Sequence, residues 1–90
     1  MEFEWDPSKS EANIKKHGVS FHEASSVFSD PSALTFGDPD HSVGERRFLT
    51  FDYSRMNQLL AIVHTERHGK TRIINARRVT RQERKIYEDG

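Results

Sequence analysis

Local signals for helix starts and stops divide the first third of this 90-residue chain into two helices. Asp6-Pro7 places an N-cap residue before a proline at the first helical position, and Gly18 supplies the left-handed residue at which such a helix ends. Ser20 and Glu23 have the spacing of a capping box, which starts a second helix. That helix has to stop before Asp30-Pro31, because a residue that precedes proline disfavours helical backbone. The two helices are therefore predicted to form an αα-hairpin.

The segment that follows has the apolar and polar pattern of extended strands. Residues 59–65 are apolar on both faces until their end, which is typical of a central strand. The turn Arg67-His68-Gly69-Lys70 then predicts an antiparallel hairpin. A capping box between Thr80 and Glu83 starts a last helix. The predicted strands are residues 3–5, 33–36, 46–53, 59–65 and 71–77, with a turn-rich loop at 37–42.

This order of elements predicts an α+β fold: an N-terminal strand and helical hairpin, a three- to four-stranded antiparallel sheet, and a C-terminal helix. The length suits one domain, residues 1–90, with a small core, because only 33% of the residues are hydrophobic and 31% are charged.

Composition also bounds the function. The absence of cysteine excludes disulfides, thiolate catalysis and cysteine-ligated zinc. The acidic start and the lack of any run near 18 apolar residues predict a cytoplasmic protein that does not enter a membrane.

The net charge of zero results from two opposed halves. Residues 1–45 carry three lysines and nine acids, giving −6, whereas residues 46–90 carry eleven basic groups and five acids, giving +6. All nine arginines lie between Arg46 and Arg84. Arginine grips phosphate through two parallel hydrogen bonds, so the cluster predicts a phosphate-bearing ligand such as RNA. The alternative is a solvated surface of salt bridges.

Cleavage of RNA without a metal requires a base for the 2′-hydroxyl, donors for the charge on the phosphoryl oxygens, and an acid for the leaving oxygen. Five histidines without the usual ligand spacings favour neither zinc nor iron, so neither a metal nor another cofactor is expected. The candidates for proton transfer are His17, His41, His64, His68, Glu45 and Glu66, and those for holding the phosphate are Arg67, Arg72, Arg77 and Arg78.

Four of the candidates for proton transfer have a structural alternative. His17, beside Gly18, fits a helix C-cap residue. His64 lies inside the central strand, where a hydrogen-bonded packing role is more common, and His68 at the hairpin tip fits a solvated side chain. Glu45 fits a surface ion pair with its two neighbouring arginines.

The positions of the arginines along the last strand limit which of them can lie on the same face of the sheet. Arg72 and Arg77 have opposite parity, so they share a face only if a bulge intervenes. Arg78 shares the face of Arg72 if the strand extends that far.

Segments along nearly the whole chain resemble the BrnT toxins of bacterial type II toxin–antitoxin pairs. These segments are Phe3-Glu4-Trp5-Asp6-Pro7, Asn13-Ile14-Lys15-Lys16-His17-Gly18-Val19-Ser20-Phe21, Val27-Phe28-Ser29-Asp30-Pro31, Glu45-Arg46-Arg47, Thr65-Glu66-Arg67 and Arg72-Ile73-Ile74-Asn75-Ala76-Arg77. The family commonly has serine where this chain has Asn75.

The resemblance implies a RelE-like ribonuclease fold, RNA cleavage that arrests translation and growth, and inhibition by a small BrnA-like antitoxin. The ribbon-helix-helix domain of that antitoxin would bind operator DNA, so the toxin would meet DNA only indirectly.

Our leading hypothesis is a metal-independent endoribonuclease in which Arg67, Arg72 and Arg77 hold the phosphate and Glu45 or His17 is the base. We assign RNA binding to Lys16, Arg46, Arg47, Lys70 and Arg78. The alternative is a non-catalytic subunit that binds RNA, or binds the antitoxin in a repressor complex.

Overall fold

The computed structural model describes residues 1–38 and 44–89. In chain order the elements are β1 (Phe3–Glu4), α1 (Pro7–His17), α2 (Phe21–Ser25), a 3₁₀ turn (Ser26–Ser29), β2 (Leu34–Gly37), β3 (Phe48–Tyr53), β4 (Leu59–Arg67), β5 (Lys70–Arg78) and α3 (Arg81–Asp89). The predicted α+β class is confirmed. Most of the loop expected at 37–42, including His41, lies outside the described residues.

The described strands form one sheet in the order β1-β5-β4-β3-β2. The four strands from β2 to β5 are antiparallel, and β1 joins β5 in parallel, with Phe3 opposite Thr71 and Glu4 opposite Arg72. The sheet thus has one strand more than the three or four predicted as antiparallel, because the N-terminal strand pairs with its edge. A two-residue strand carries no pattern that identifies its partner.

The residues predicted to start and end the first two helices form helix caps in the structure. The Asp6 carboxylate accepts a hydrogen bond from the Ser8 N–H at 2.9 Å, and Gly18 ends α1 with a φ of 70°. Ser20 accepts from the Glu23 N–H at 3.0 Å and starts α2. The Glu23 side chain does not complete that capping box. It is buried and accepts hydrogen bonds from Ser54 and Gln58 instead, which tie α2 to the β3–β4 turn.

The core lies between the first two helices and one face of the sheet. Trp5 and Phe28 pack against its edge. Its fully buried members are Val19, Phe21, Ala24, Val27, Leu60, Ile62, Ile73 and Ala76. We call the opposite side of the sheet the arginine face. It carries Leu49, Val63, Arg72, Asn75 and Arg77.

The core side of the sheet also contains polar groups. Thr50 and His64 are buried, and the Thr50 hydroxyl lies 2.7 Å from His64 Nε2 and 2.8 Å from the Thr35 hydroxyl. Asp52 is 1% exposed and accepts a hydrogen bond of 2.6 Å from the Tyr87 hydroxyl of α3. The more polar side of β3 is therefore the side that faces the core.

Candidate functional site

A β-bulge in β5 places Arg72 and Arg77 on the same face of the sheet. Arg72 lies opposite Thr65, and Arg77 lies opposite Ala61. Those two β4 residues are four positions apart, so their side chains share a face. The register shifts between Val63 and His64, which pair with Asn75 and Ile73 and leave Ile74 as the extra residue. The bulge that the parity argument required is present.

Each of the three arginines expected to hold the phosphate has a carboxylate partner. Arg67 donates to Glu45 at 2.9 Å, and Arg72 lies 3.7 Å from Glu4 of β1. Arg77 binds both carboxylate oxygens of the α3 residue Glu83, at 2.7 and 2.9 Å. The carboxylates fix the guanidinium groups in place, and a phosphate has to compete with them.

Glu45 lies among three arginines. Besides Arg67, its carboxylate is 3.8 Å from Arg47 Nε. The hydrogen bond from Arg67 holds the pKa of the Glu45 carboxyl below its usual range, and the charges of Arg67, Arg47 and Arg72 act in the same direction. Glu45 is therefore ionised at neutral pH and can accept a proton. The lowered pKa also makes it a weak base.

A cavity of about 430 Å³ opens on the arginine face beside this cluster. Its lining is apolar along Leu49, Val63 and Ile74, and cationic at Arg47 and Arg77. Asp38 and Asn75 supply the remaining polar groups. The volume lies within the roughly 300–1,000 Å³ of small-ligand sites.

A smaller cavity of about 150 Å³ lies between α1 and β5. Lys9, Lys16 and His17 line it, and Ile74 and Asn75 belong to both cavities. The described contacts connect His17 to this second cavity and not to Glu45. The two candidates for the base therefore belong to different parts of the surface.

Two arginines assigned to RNA binding lie on the core side of the sheet. Arg78 pairs with Leu60 and donates to the Gln58 side chain at 2.6 Å. Because the bulge changes the parity of the strand, the expectation that Arg78 shares the face of Arg72 is wrong. The Arg46 guanidinium lies 5.5 Å from the centre of the Phe48 ring, which itself stacks on His64. Both residues are therefore separate from the arginine-face cavity.

The remaining hairpin candidates lie at the far end of β4 and β5. Lys70 is exposed and pairs with Arg67 across the turn. His68 and Gly69 form this turn with φ angles of 54° and 78°, as a two-residue turn of a twisted hairpin requires. His68 is exposed, and Glu66 accepts a hydrogen bond from the Thr71 hydroxyl at 2.9 Å.

His64 has a packing role, which the sequence analysis gave as the alternative to proton transfer. Burial lowers the pKa of its imidazole to about 4, although the charge of Glu66 acts in the opposite direction. Its ring packs edge-on against Phe28 and stacks on Phe48. His64 is neutral at physiological pH and faces away from the arginine face.

The structure adds residues that the sequence interpretation did not assign to the site. Glu4 and Glu83 position two arginines, and Asn75 links the two cavities. The capping box already identified Glu83, but its second role depends on how α3 packs against the sheet. Nothing in the sequence marks Ile74 as the bulge residue.

Within residues 1–38 and 44–89, no three side chains of histidine, aspartate or glutamate converge in a way that could hold a metal ion. None of the helices in these ranges has the length and apolar character needed to cross a bilayer.

Comparison with known proteins gives a consistent result. The family model described as "Ribonuclease toxin, BrnT, of type II toxin-antitoxin system" matches residues 5–83. The structure is similar to the 1.1 Å crystal structure of the Brucella abortus ribonuclease toxin BrnT, with a TM-score of 0.69 and 20% sequence identity. The similarity covers 90% of this chain and 99% of that one. A search of curated proteins finds no significant match.

Proposed function

Because the chain belongs to the BrnT family of ribonuclease toxins of type II toxin–antitoxin systems, we propose that it cuts RNA at its arginine face without a metal. Cleavage of cytoplasmic RNA would stop translation and growth. The observation that carries this proposal is the position of Glu45, a carboxylate held among Arg47, Arg67 and Arg72 beside a cavity large enough for a nucleotide.

The proposed reaction is attack by a 2′-hydroxyl on the adjacent phosphate. Glu45 accepts the hydroxyl proton, the 2′-oxygen forms a bond to phosphorus, and the bond from phosphorus to the 5′-oxygen breaks. A proton from water or from an acidic side chain completes the 5′-hydroxyl, and the other product is a 2′,3′-cyclic phosphate. Arg67 and Arg72, whose charges act on Glu45, offset the negative charge that grows on the phosphoryl oxygens, and Arg77 holds the RNA further along the same face.

His17 is the second candidate for the base. It lines the cavity of α1 with Lys16. The two assignments differ in which side-chain replacement removes cleavage. If Glu45 is the base, its lowered pKa keeps the carboxylate ionised and able to accept a proton down to mildly acidic pH.

The antitoxin partner follows from the type II classification, and we propose that it is a BrnA-like ribbon-helix-helix protein. Acidic or apolar segments of this partner would cover the arginine face and exclude RNA. Operator DNA would then be bound by the antitoxin, with the toxin held in the complex.

The test is cleavage of a structured and a single-stranded RNA by the purified protein in the presence of a chelator, with the new ends identified chemically. We expect 2′,3′-cyclic phosphate and 5′-hydroxyl ends. The triple replacement of Arg67, Arg72 and Arg77 by alanine should abolish cleavage, and Glu45→Gln should reduce it by about 10²-fold or more. Arg55→Ala is the matched control, because Arg55 is exposed on the β3–β4 turn. Cleavage that persists in the triple variant contradicts the assignment.

A non-catalytic binding subunit is the second candidate function. The observation in its favour is that Arg67 and Arg77 already form close ion pairs with carboxylates, which leaves fewer donors for a transition state. RNA binding that weakens with salt, without any cleavage, would support this candidate.

A further inference from the structure

We propose that Asn75 recognises a nucleobase in the arginine-face cavity and gives the site a preference for adenine. This inference rests on the proposed function, because it supposes that single-stranded RNA lies across the arginine face. Asn75 is the specificity-determining residue in this proposal and takes no part in proton transfer.

The cavity has two kinds of wall that suit a nucleotide. Leu49, Val63 and Ile74 form an apolar floor, against which the flat face of a base can pack. Arg47 and Arg77 flank that floor with positive charge, which suits the phosphates on either side of the base. This charge complementarity favours RNA over an apolar peptide as the occupant.

Asn75 is half-buried at the edge of this floor, opposite Val63. Its side-chain amide makes no hydrogen bond to the residues that the structure describes. An amide presents one donor and one acceptor side by side. The group is therefore available for a base edge that presents the complementary pair.

Adenine is the base that presents such a donor–acceptor pair on both its Hoogsteen and its Watson–Crick edge. Its amino group and N7 form a donor–acceptor pair on one edge, and the same amino group and N1 form another. Guanine presents two acceptors, N7 and O6, on the first of these edges, and it matches an amide only through O6 and N1–H of its Watson–Crick edge. Cytosine and uracil have a single edge of the required kind and a smaller ring to pack on the floor.

Asp38 lines the same cavity but suits this role less well. A carboxylate only accepts hydrogen bonds, and its charge opposes the neighbouring phosphates. Asp38 also has an interaction of its own within the protein, whereas the Asn75 amide has none among the described residues.

The second cavity continues the same path. Ile74 and Asn75 belong to both cavities, and on the α1 side Lys9 and Lys16 add positive charge. A chain that places its base beside Asn75 can therefore direct its next phosphate towards these lysines. Ile74, the extra residue of the bulge, and Asn75 therefore lie where the RNA would pass from one cavity to the other.

The test measures binding of short single-stranded 2′-O-methyl RNAs, whose blocked 2′-oxygen prevents cleavage. Four oligonucleotides carry adenine, guanine, cytosine or uracil at all positions, and each is titrated against the wild type, Asn75→Ala, Asn75→Asp and Gln82→Ala. Gln82 is the control because it is an exposed amide on α3. Thermal unfolding checks that each variant is folded.

We expect the wild type and Gln82→Ala to bind the adenine oligonucleotide about tenfold more tightly than the others, within the range of one amide-to-adenine pair. Both Asn75 variants should lose that preference. Equal affinity of the wild type for all four, a preference for another base, or an adenine preference that survives in Asn75→Ala overturns the proposal. Because these RNAs cannot be cut, the result is independent of whether the protein cleaves RNA.

Discussion

The side-chain amide of Asn13 pairs with the backbone of Ala76 as a neighbouring strand would. Its Nδ2 donates to the Ala76 carbonyl at 2.8 Å, and its Oδ1 accepts from the Ala76 N–H at 3.2 Å. The same Nδ2 donates to the Val19 carbonyl. One helical residue thus provides hydrogen-bond partners for the backbone at the edge of β5, beyond the point where β1 ends. It also holds α1 against the strand that carries Arg72 and Arg77.

Asn13→Ala should destabilise the protein by about 3 kcal/mol, because three buried backbone groups lose their partner. Equilibrium unfolding in urea measures this loss. Glu11→Ala, at an exposed position of the same helix, is the control and should change stability little. An Asn13→Ala protein as stable as that control would show that water replaces the amide without cost.

Acidification should destabilise the protein through His64. The folded state keeps this ring neutral down to a pKa of about 4, whereas the unfolded chain takes up a proton near pH 6.5. The contribution of His64 to stability is therefore complete above pH 6.5 and is lost as the pH falls towards 4. The expected loss is about 3 kcal/mol.

Urea unfolding at several pH values measures that loss. His64→Leu should flatten the dependence between pH 7 and 4, although it removes the contact with Thr50. His68→Asn, at the exposed turn, should keep the wild-type dependence. Equal curves for His64→Leu and the wild type would contradict the prediction.

Asp52→Asn should stabilise the protein at neutral pH. Burial is the largest cause that raises the pKa of the Asp52 carboxyl, and nearby Asp30 adds to it, so the ionised group costs stability once the pH exceeds that pKa. Asparagine removes the charge and still accepts the Tyr87 hydrogen bond. The gain should disappear at acidic pH, where Asp52 is protonated. Thermal midpoints at both pH values measure it, with exposed Glu2→Gln as the control.

The same substitution has a spectroscopic readout. The hydrogen bond to Asp52 raises the pKa of Tyr87 to about 12. In Asp52→Asn this pKa should return towards 10, the usual value for tyrosine. Ultraviolet titration of the two tyrosines detects the change. A wild-type titration without a high-pKa tyrosine would contradict the contact.

Glu83→Gln should strengthen RNA binding, because it weakens the ion pair that occupies Arg77. One additional phosphate contact should steepen the dependence of log affinity on log salt by about 0.7 for a single strand. Glu88→Gln removes the same charge from α3, but Glu88 contacts Arg84, so it is the matched control. Equal salt dependence in the two variants would show that Arg77 does not reach RNA.

Signals close together in the sequence predicted most of the fold. Asp6-Pro7, Gly18 and the capping box of Thr80 and Glu83 act within a few residues, and the structure has each of them. The strand boundaries also agree closely, because alternation and turn residues act locally.

The arrangement of the site was less predictable, because it depends on contacts between distant segments. Glu4 meets Arg72 only because β1 pairs with β5 in parallel. The charge pattern identified a cationic half, but it could not show that Arg46 and Arg78 lie on the core side. Nor could it show that Thr50 and Asp52 are buried, since their partners are His64 and Tyr87 on other elements.

Because of the extra residue at Ile74, the site depends on how many positions separate Arg72 from Arg77 as well as on the chemistry of their side chains. Five positions separate Arg72 from Arg77, an odd interval that would put them on opposite sides of a regular strand. An in-frame deletion of one codon at Ile74 would leave both arginines in the protein and move one of them to the opposite side. In this strand, the number of residues between the two arginines decides the geometry of the site as much as their identity does.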